Sequence, residues 1–493
     1  MRYDYVVIGA GISGIACALI LAKNGIKVAL VEKSNFLAPL IHGFKRKGVF
    51  FDTGFHYTGS LDAGESLEVF FHYLGISDKI EKIEYTKDGF DIFRSVDSEF
   101  EFKFPYSYER IKEKFYEAFP KDKLAINNYL SLVKETYHSF PYINLDAEMD
   151  PVKLVGSLYD ISLNDFLDRL TDNKLLKYLL SLHCLLHGSP PSDIPFANHA
   201  CVVGAYYESV NGIYGGGLSL IKAFEVELKN NGVELYLGHN VTEIVLSSDG
   251  VSGVKIENGD YINSTGCIST IHPHLFLRII NKSFFRPAYI KRLNALEESC
   301  SAYLLFAVCN SSVYELEKNN LYLFSTKNRE ALLKSDIIEE SPLYISSARN
   351  RKNGEFGFVA ISPTTGKDVL KWADTKTGKR PDDYISFKEN IQRKLLEHIE
   401  KYCSYLKNKI IYSECATPLT LRDFSNSPFG SMYGVKYKVG QYNPMTLTRV
   451  KGLFLSGQAT SAPGILGAVV SAFLTCGTIL GHDFLRGELK KCL

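Results

Sequence analysis

The chain has 493 residues, 45% hydrophobic and 23% charged, with 56 basic against 55 acidic side chains. That length gives about three domain-sized units with an ample core, the composition is that of a soluble globular protein, and a net charge near zero leaves no basic excess for a nucleic acid to neutralise. The ten cysteines are scattered, with no C-x-x-C pair or metal-ligand spacing, which predicts reduced, mostly buried thiols in a cytoplasmic setting and no disulfide framework. Aromatics run to 31 Phe and 30 Tyr but a single Trp, Trp372; a broad apolar substrate cavity is one place for so many rings.

The N-terminal segment carries the sharpest signal. Tyr5-Val6-Val7-Ile8 predicts a strand, Gly9-Ala10-Gly11-Ile12-Ser13-Gly14 a turn opening an apolar helix that reaches about Lys23, and 27–31 a second strand ending on Glu32, with Lys33 next. This order and spacing is what a dinucleotide needs. Gly9 permits the tight turn, Gly11 lets backbone approach a pyrophosphate, and Gly14 lets helix and strand pack closely. The anion sits on the helix N-terminus, where unpaired amides and the helix dipole favour negative charge. Glu32 accepts the hydroxyls of an adenosine ribose and repels a 2′-phosphate, so FAD or NAD fits and NADP does not. A strand beginning at residue 3 predicts no signal peptide ahead of it.

An extended segment broken by glycines follows, Gly48 to Gly59, and contains Asp52-Thr53-Gly54 and His56. Residues 65–206 read mostly as helices (65–74, 109–119, 124–140, 163–186), a cap outside the central sheet. From Gly212 the alternation changes: a helix over 218–229, strands over 232–237 and 241–246, the second opening on Val241, and a hairpin pairing 251–257 with 260–262 across Asn258-Gly259. Residues 286–440 carry strands at 302–308, 343–347 and 356–361 and a helix at 387–402. The predicted organisation is therefore interleaved, with a cofactor domain from 1–64, 207–285 and 441–493 and a substrate domain from 65–206 and 286–440.

The second strong signal is Gly452-Leu453-Phe454-Leu455-Ser456-Gly457-Gln458, then Pro463-Gly464-Ile465-Leu466-Gly467. A buried strand ends at a glycine where backbone meets ligand, and a helix of small residues begins. Its amides can face the pyrimidine edge of a flavin, where reduction leaves negative charge. Two helix N-termini at opposite ends of one chain suit one long ligand, which selects FAD over NAD. The apolar stretch 462–480 contains Pro463, Gly464, Gly467 and Gly477, so it reads as a buried strand–turn–helix and not as a membrane span. Cys492 is penultimate, so no prenylation box is expected.

These motifs, with Phe51-Asp52-Thr53-Gly54, the Gly-rich turn at 212–217, Ala416-Thr417-Pro418-Leu419-Thr420 and Gly430-Ser431-Met432-Tyr433-Gly434, resemble the flavoproteins that group phytoene desaturases, carotenoid cis-trans isomerases and retinol saturases. The resemblance spans nearly the whole chain in order. It implies an α/β fold with a Rossmann-type FAD-binding domain of the amine-oxidase and phytoene-desaturase architecture, interleaved with an α+β substrate domain. It also implies a cytoplasmic-face FAD enzyme that desaturates, saturates or isomerises double bonds of a polyene or other lipid, with a quinone or other electron acceptor and a membrane surface as further partners. In one respect the chain departs from the pattern: the usual Gly-Gly pair after the ribose acid is replaced by Leu37-Ala38-Pro39-Leu40. Either this loop takes a different course or the flavin environment is altered.

Flavin N5 exchanges hydride with a C–H bond held against the ring, so the protein mainly orients the substrate and excludes water. His56, following Asp52-x-Gly54, is the candidate to transfer the accompanying proton; the alternative is a histidine satisfied by backbone at a turn. Tyr57 and Tyr433 read as core or channel aromatics. His183 and His187 stand four apart on a predicted helix, but no third ligand or catalytic Glu accompanies them in sequence, so no metal is expected. Two other functions share the flavin motifs: an amine oxidase, and a flavin- or lipid-binding protein without turnover.

Overall fold

The computed structural model describes residues 2–149, 157–327, 331–348, 355–428 and 430–493. Two seven-stranded sheets organise it. In the first, Arg2–Ile8 is central and runs parallel to Val28–Glu32 on one side and Tyr261–Ser269 on the other, with Tyr5 opposite Val28 and Gly266. Glu234–Leu237 extends the parallel set at one edge, and Leu453–Leu455 pairs in parallel with Tyr261–Ser269. Gly250–Ile256 and Val241–Ser247 close the far edge as an antiparallel ribbon. Val28–Glu32 is buried at every position, as a parallel strand covered on both faces must be. One cover is the helix Ile12–Lys23, which packs Ile15, Leu19 and Ile20 with Phe70 of Ser66–Leu74, Phe224 of Gly216–Asn230 and Phe473 of Gly464–Leu480. That last helix is therefore core, and among the described residues no helix is long and apolar enough to cross a membrane.

The second sheet runs Ile410–Ala416, Ser301–Cys309, Phe356–Thr364, Leu343–Ser347, Asn320–Phe324, Asp91–Ser95, Glu101–Phe104. It is antiparallel except where Asn320–Phe324 lies parallel to Asp91–Ser95. Side chains alternate across it with the period of two that a pleated strand imposes. Leu321 and Leu323 face the helix Asp382–Tyr402, whereas Tyr322 and Phe324 face an aromatic layer with Phe104, Phe115, Tyr129 and Tyr207. About a third of the Phe and Tyr side chains are packed here.

The structure corrects the sequence reading in places. Among the described residues of 65–206, expected to be mostly helical, lie three strands, Lys82–Glu84, Asp91–Ser95 and Glu101–Phe104, too short for periodicity to separate from loop. The predicted helix over 163–186 breaks at Thr171 into Leu163–Leu170 and Lys174–Leu182, because Asn173 caps the second by accepting the Leu176 amide at 3.2 Å. Strands Asn320–Phe324 and Ile410–Ala416 were not anticipated, and the strand after Asn258-Gly259 runs on through Ser269 into the centre of the first sheet.

Candidate functional site

A cavity of about 1580 Å³ opens at the ends of the parallel strands and extends to the second sheet. At its floor Gly9, with φ +94°, donates its amide to Val31 O at 2.8 Å and turns the chain. A Cβ on Gly14 would fall onto the Gly9 carbonyl oxygen, so the helix can press on the turn only without a side chain there. Gly11 has open space out to 4 Å around the point where a Cβ would stand, and it lines the cavity with bare backbone. It is also the N-cap and supplies no side-chain acceptor, leaving the first-turn amides of Ile12–Lys23 for a ligand.

The second cradle repeats this logic. Helix Gly464–Leu480 starts after Pro463 with no side-chain cap, and Gly464 has open space where a Cβ would be. Three serines tie the cradles together: Ser13 Oγ to Ser456 Oγ at 2.8 Å, Ser456 Oγ to Ser471 Oγ at 3.1 Å, and Gly457 N to Ser471 Oγ at 2.8 Å. Glu32 is buried at the end of its strand, accepting Ala10 N and Ser34 N, each at 2.8 Å. Each oxygen keeps lone-pair capacity for a hydroxyl.

Gly9, Gly11, Ser13, Glu32, Lys33 and Gly54 line this one cavity, and so do Val241, Gly457, Gln458, Gly464, Ile465 and His56. Three of the anticipated residues stand behind the wall instead. Ala10 is fully buried and serves through its backbone, Gly14 through its missing side chain, and Leu466 packs onto the core. Lys33 reaches across the cavity to Asn426 Oδ1 at 2.8 Å.

The loop that lacks the Gly-Gly pair bends at Ala38 in the left-handed region, φ 43° and ψ 61°, with its amide on Ala10 O at 2.8 Å. It then passes beside Gly54 and Gly217, whose added Cβ atoms would meet Leu40 O and Ile41 O. The alanine holds a glycine-like conformation at a cost of about 1 kcal/mol. Ala38→Gly removes that strain but gives up a buried methyl and loosens the unfolded chain, so stability, measured by urea unfolding, is expected to stay within about 1 kcal/mol of the wild-type value; a loss of more than about 1.5 kcal/mol would show that this bend carries no strain.

Beyond Gly54 the wall is Leu304, Phe306, Ile361, Met432 and Tyr433, with His56 among them. Sequence reasoning missed all of these as a wall except His56 and Tyr433. In sequence Ser301–Cys309 is, after its first serine, an unbroken apolar run, buried at every position, and carries no alternation that would single out Leu304 and Phe306 as cavity-facing. Phe36, Leu40, Ile385 and Phe424 also line the cavity and are exposed, marking its mouth.

His183 and His187 do not share a site. His183–Leu186 is a 3-10 turn; His183 Nε2 meets Asp91 Oδ2 at 3.0 Å, while His187 Nε2 meets His199 Nδ1 at 3.0 Å. His187 gathers with Cys184 and His199, and His272 with His274 and Glu298. In both groups a backbone amide donates to a histidine Nδ1, Ser189 N to His187 at 3.3 Å and His274 N to His272 at 3.2 Å. That assigns the ring proton to Nε2, the atom facing the cluster, whereas a metal ligand needs the reverse. Burial pushes His187 down to about 3, and pushes His199 down and the Cys184 thiol up. The first cluster is a neutral hydrogen-bonded chain that runs on through Tyr129 to Tyr207.

Among curated proteins the chain is similar to all-trans-retinol 13,14-reductase of Danio rerio, 23% identical and covering 98% of this chain and 87% of that one. It is also similar to 4,4'-diapolycopene oxygenase of Methylomonas sp, at 24% over 93% and 94%, and to 1-hydroxycarotenoid 3,4-desaturase of Flavobacterium sp., at 24% over 96% and 98%. Among solved structures, putrescine oxidase bound to putrescine superposes with a TM-score of 0.68 at 14% identity, covering 97% of this chain and 99% of that one. An oxidoreductase from Methanosarcina mazei gives 0.67 at 14%, over 97% and 100%. Those structures share the fold. Two helix N-termini without side-chain caps, a buried acid at the end of the second strand and bare glycine backbone at both helix starts fit FAD, and the family model of the flavin containing amine oxidoreductases matches residues 12–316; the chain belongs to that family and is an FAD-dependent oxidoreductase.

Proposed function

We propose that this enzyme exchanges hydride with carbon positions of an apolar polyene or related long-chain lipid, as the names of the retinol reductase and carotenoid desaturase relatives suggest. The carrying observation is the continuity of the cavity, which runs from the cofactor cradle along an apolar wall of Leu304, Phe306, Ile361 and Met432. The bound flavin supplies a hydride donor or acceptor. The amides of Ile12–Lys23 hold the pyrophosphate, and those of Gly464–Leu480 oppose negative charge on the ring. The apolar wall aligns the substrate and excludes water, and His56 holds or releases the accompanying proton at its imidazole.

The test is anaerobic mixing of the purified flavoprotein, oxidised and then reduced, with all-trans polyenes. Flavin bleaching or recovery coupled to a shift of the polyene absorption is expected. Flavin reduced by amines and inert to every polyene would establish amine oxidation instead. Exposed Phe36, Leu40, Ile385 and Phe424 at the mouth support substrate entry from a bilayer. The helices of 65–206, by contrast, bury their aromatic faces in the core. Flotation with liposomes is expected and should fall when Phe424 is changed to Glu; equal flotation of both proteins would remove that face from the proposal.

A further inference from the structure

Residues 52–57 cross the cavity with almost no regular secondary structure, so side chains fix them. Asp52 accepts the Gly217 amide at 2.9 Å, Thr53 donates to Leu40 O at 2.6 Å, and Gly54 rests on Leu40. The His56–Tyr57 end has a different anchor. Tyr57 OH donates to Asp91 Oδ2 at 3.2 Å and meets Tyr322 OH at 3.0 Å, while Tyr85 OH lies 3.4 Å from both His56 O and Asn320 Oδ1. Asn320 Nδ2 donates to Asp91 Oδ1 at 2.8 Å, and His183 Nε2 faces Asp91 Oδ2 at 3.0 Å. Both anchors therefore converge on one carboxyl.

That carboxyl sits where two parallel strands begin side by side, Asp91 opposite Asn320. Asp91, Asn320 and His183 are all fully buried, and the rings of Phe90, Phe93 and Phe104 enclose His183. A buried carboxylate–imidazole pair is an expensive way to fill a core: apolar side chains of similar volume are often as stable or more so. None of the three lines the cavity, so none touches substrate or cofactor. Tyr344, hydrogen-bonded to Asn320 Oδ1 at 3.1 Å, lays its ring 6.1 Å from that of Tyr57 and 5.8 Å from that of His56, bringing the same hub against the imidazole from a second side.

We propose that the Asp91–His183 pair is a positioning device for the reaction, fixing Tyr57 and through it the placement of His56 at the cavity wall. The inference rests on His56 handling the proton, and it adds buried residues outside the cavity to that role.

Its test is a double-mutant cycle. Tyr57→Phe removes one hydroxyl and leaves the ring; Asp91→Asn keeps the side-chain volume. Each is expected to retain bound flavin and a polyene KM within about twofold, while the single-turnover rate of hydride exchange falls on the order of 10- to 100-fold, the effect of a small misplacement. Combined with His56→Ala, neither should cost anything more. A merely structural role predicts additive losses or loss of flavin, and either result overturns the proposal, as does an unchanged rate. If Asp91→Asn does not fold, Tyr57→Phe decides. If the wild-type protein transforms no polyene, the visible band of the bound flavin is the readout. The shift caused by His56→Ala should reappear in Tyr57→Phe, and its absence removes this inference whatever the substrate.

Discussion

Gly14→Ala is expected to yield a protein that purifies without flavin. The new methyl would fall onto the Gly9 carbonyl oxygen and close to Thr270 Oγ1, which is itself bonded to Ile8 O at 2.9 Å and Gly9 O at 3.0 Å. Backbone, not a flexible side chain, stands in the way, so the helix must lift off the turn and take its amides away from the ligand. Overpacking of this kind costs about 1–3 kcal/mol in stability, and displaced amides weaken anion binding further, so FAD affinity should fall by more than about 100-fold. Gly11→Ala is the informative partner. Its methyl meets nothing in the protein, so that variant should fold normally and lose affinity only because the methyl stands in the ligand's path. Flavin absorbance per protein, with thermal unfolding alongside, separates the two. A Gly14→Ala protein with full flavin would show that this contact does not set the cradle.

Glu32→Ala should be almost as damaging, for a different reason. The carboxylate accepts two backbone amides, one of them on fully buried Ala10. Hydrogen bonds to a charged group are worth about 1.5–3 kcal/mol each. Removing it leaves both amides without an acceptor and takes away the proposed partner of the ribose, and the turn that leads into Gly11 keeps only the Gly9 amide bond to Val31 O as its tie to the second strand. A loss of FAD affinity of about 100-fold is expected in a fluorescence titration of the apoprotein. Glu32→Gln keeps an acceptor for one amide and should lose about tenfold. Equal affinity of the wild-type protein and the alanine variant would remove Glu32 from the site.

The turn and helix at the start of the first sheet were legible in the sequence because their signals are local. Gly9, Gly11, Gly14 and Glu32 each do something that few residue types can do, at spacings set by one turn and one helix. Leucine-rich or aromatic positions carry no such signature. Strands Asp91–Ser95 and Glu101–Phe104 are too short to stand out. Nothing near Asp91 in sequence marks it, and only the fold sets Asn320, more than two hundred residues away, beside it. His183 and His187 show the converse. Their spacing suggested a shared face, but the 3-10 turn between them sends the two rings to different partners. The Leu37–Leu40 departure left two outcomes open, and the left-handed Ala38 shows how the loop keeps its bend without a glycine.

The serine ties between Ile12–Lys23 and Gly464–Leu480 also set a timetable for biosynthesis. The first cradle leaves the ribosome early, yet its counterpart emerges more than four hundred residues later, about 20–90 s at ordinary elongation rates. During that interval the nascent chain has half a binding site and an unpaired edge on Tyr261–Ser269 where Leu453–Leu455 will later pair. The complete site thus exists only once nearly the whole chain has been made, and scarce riboflavin would leave newly made chains without the stabilisation that a bound ligand gives, exposed to chaperones and proteases.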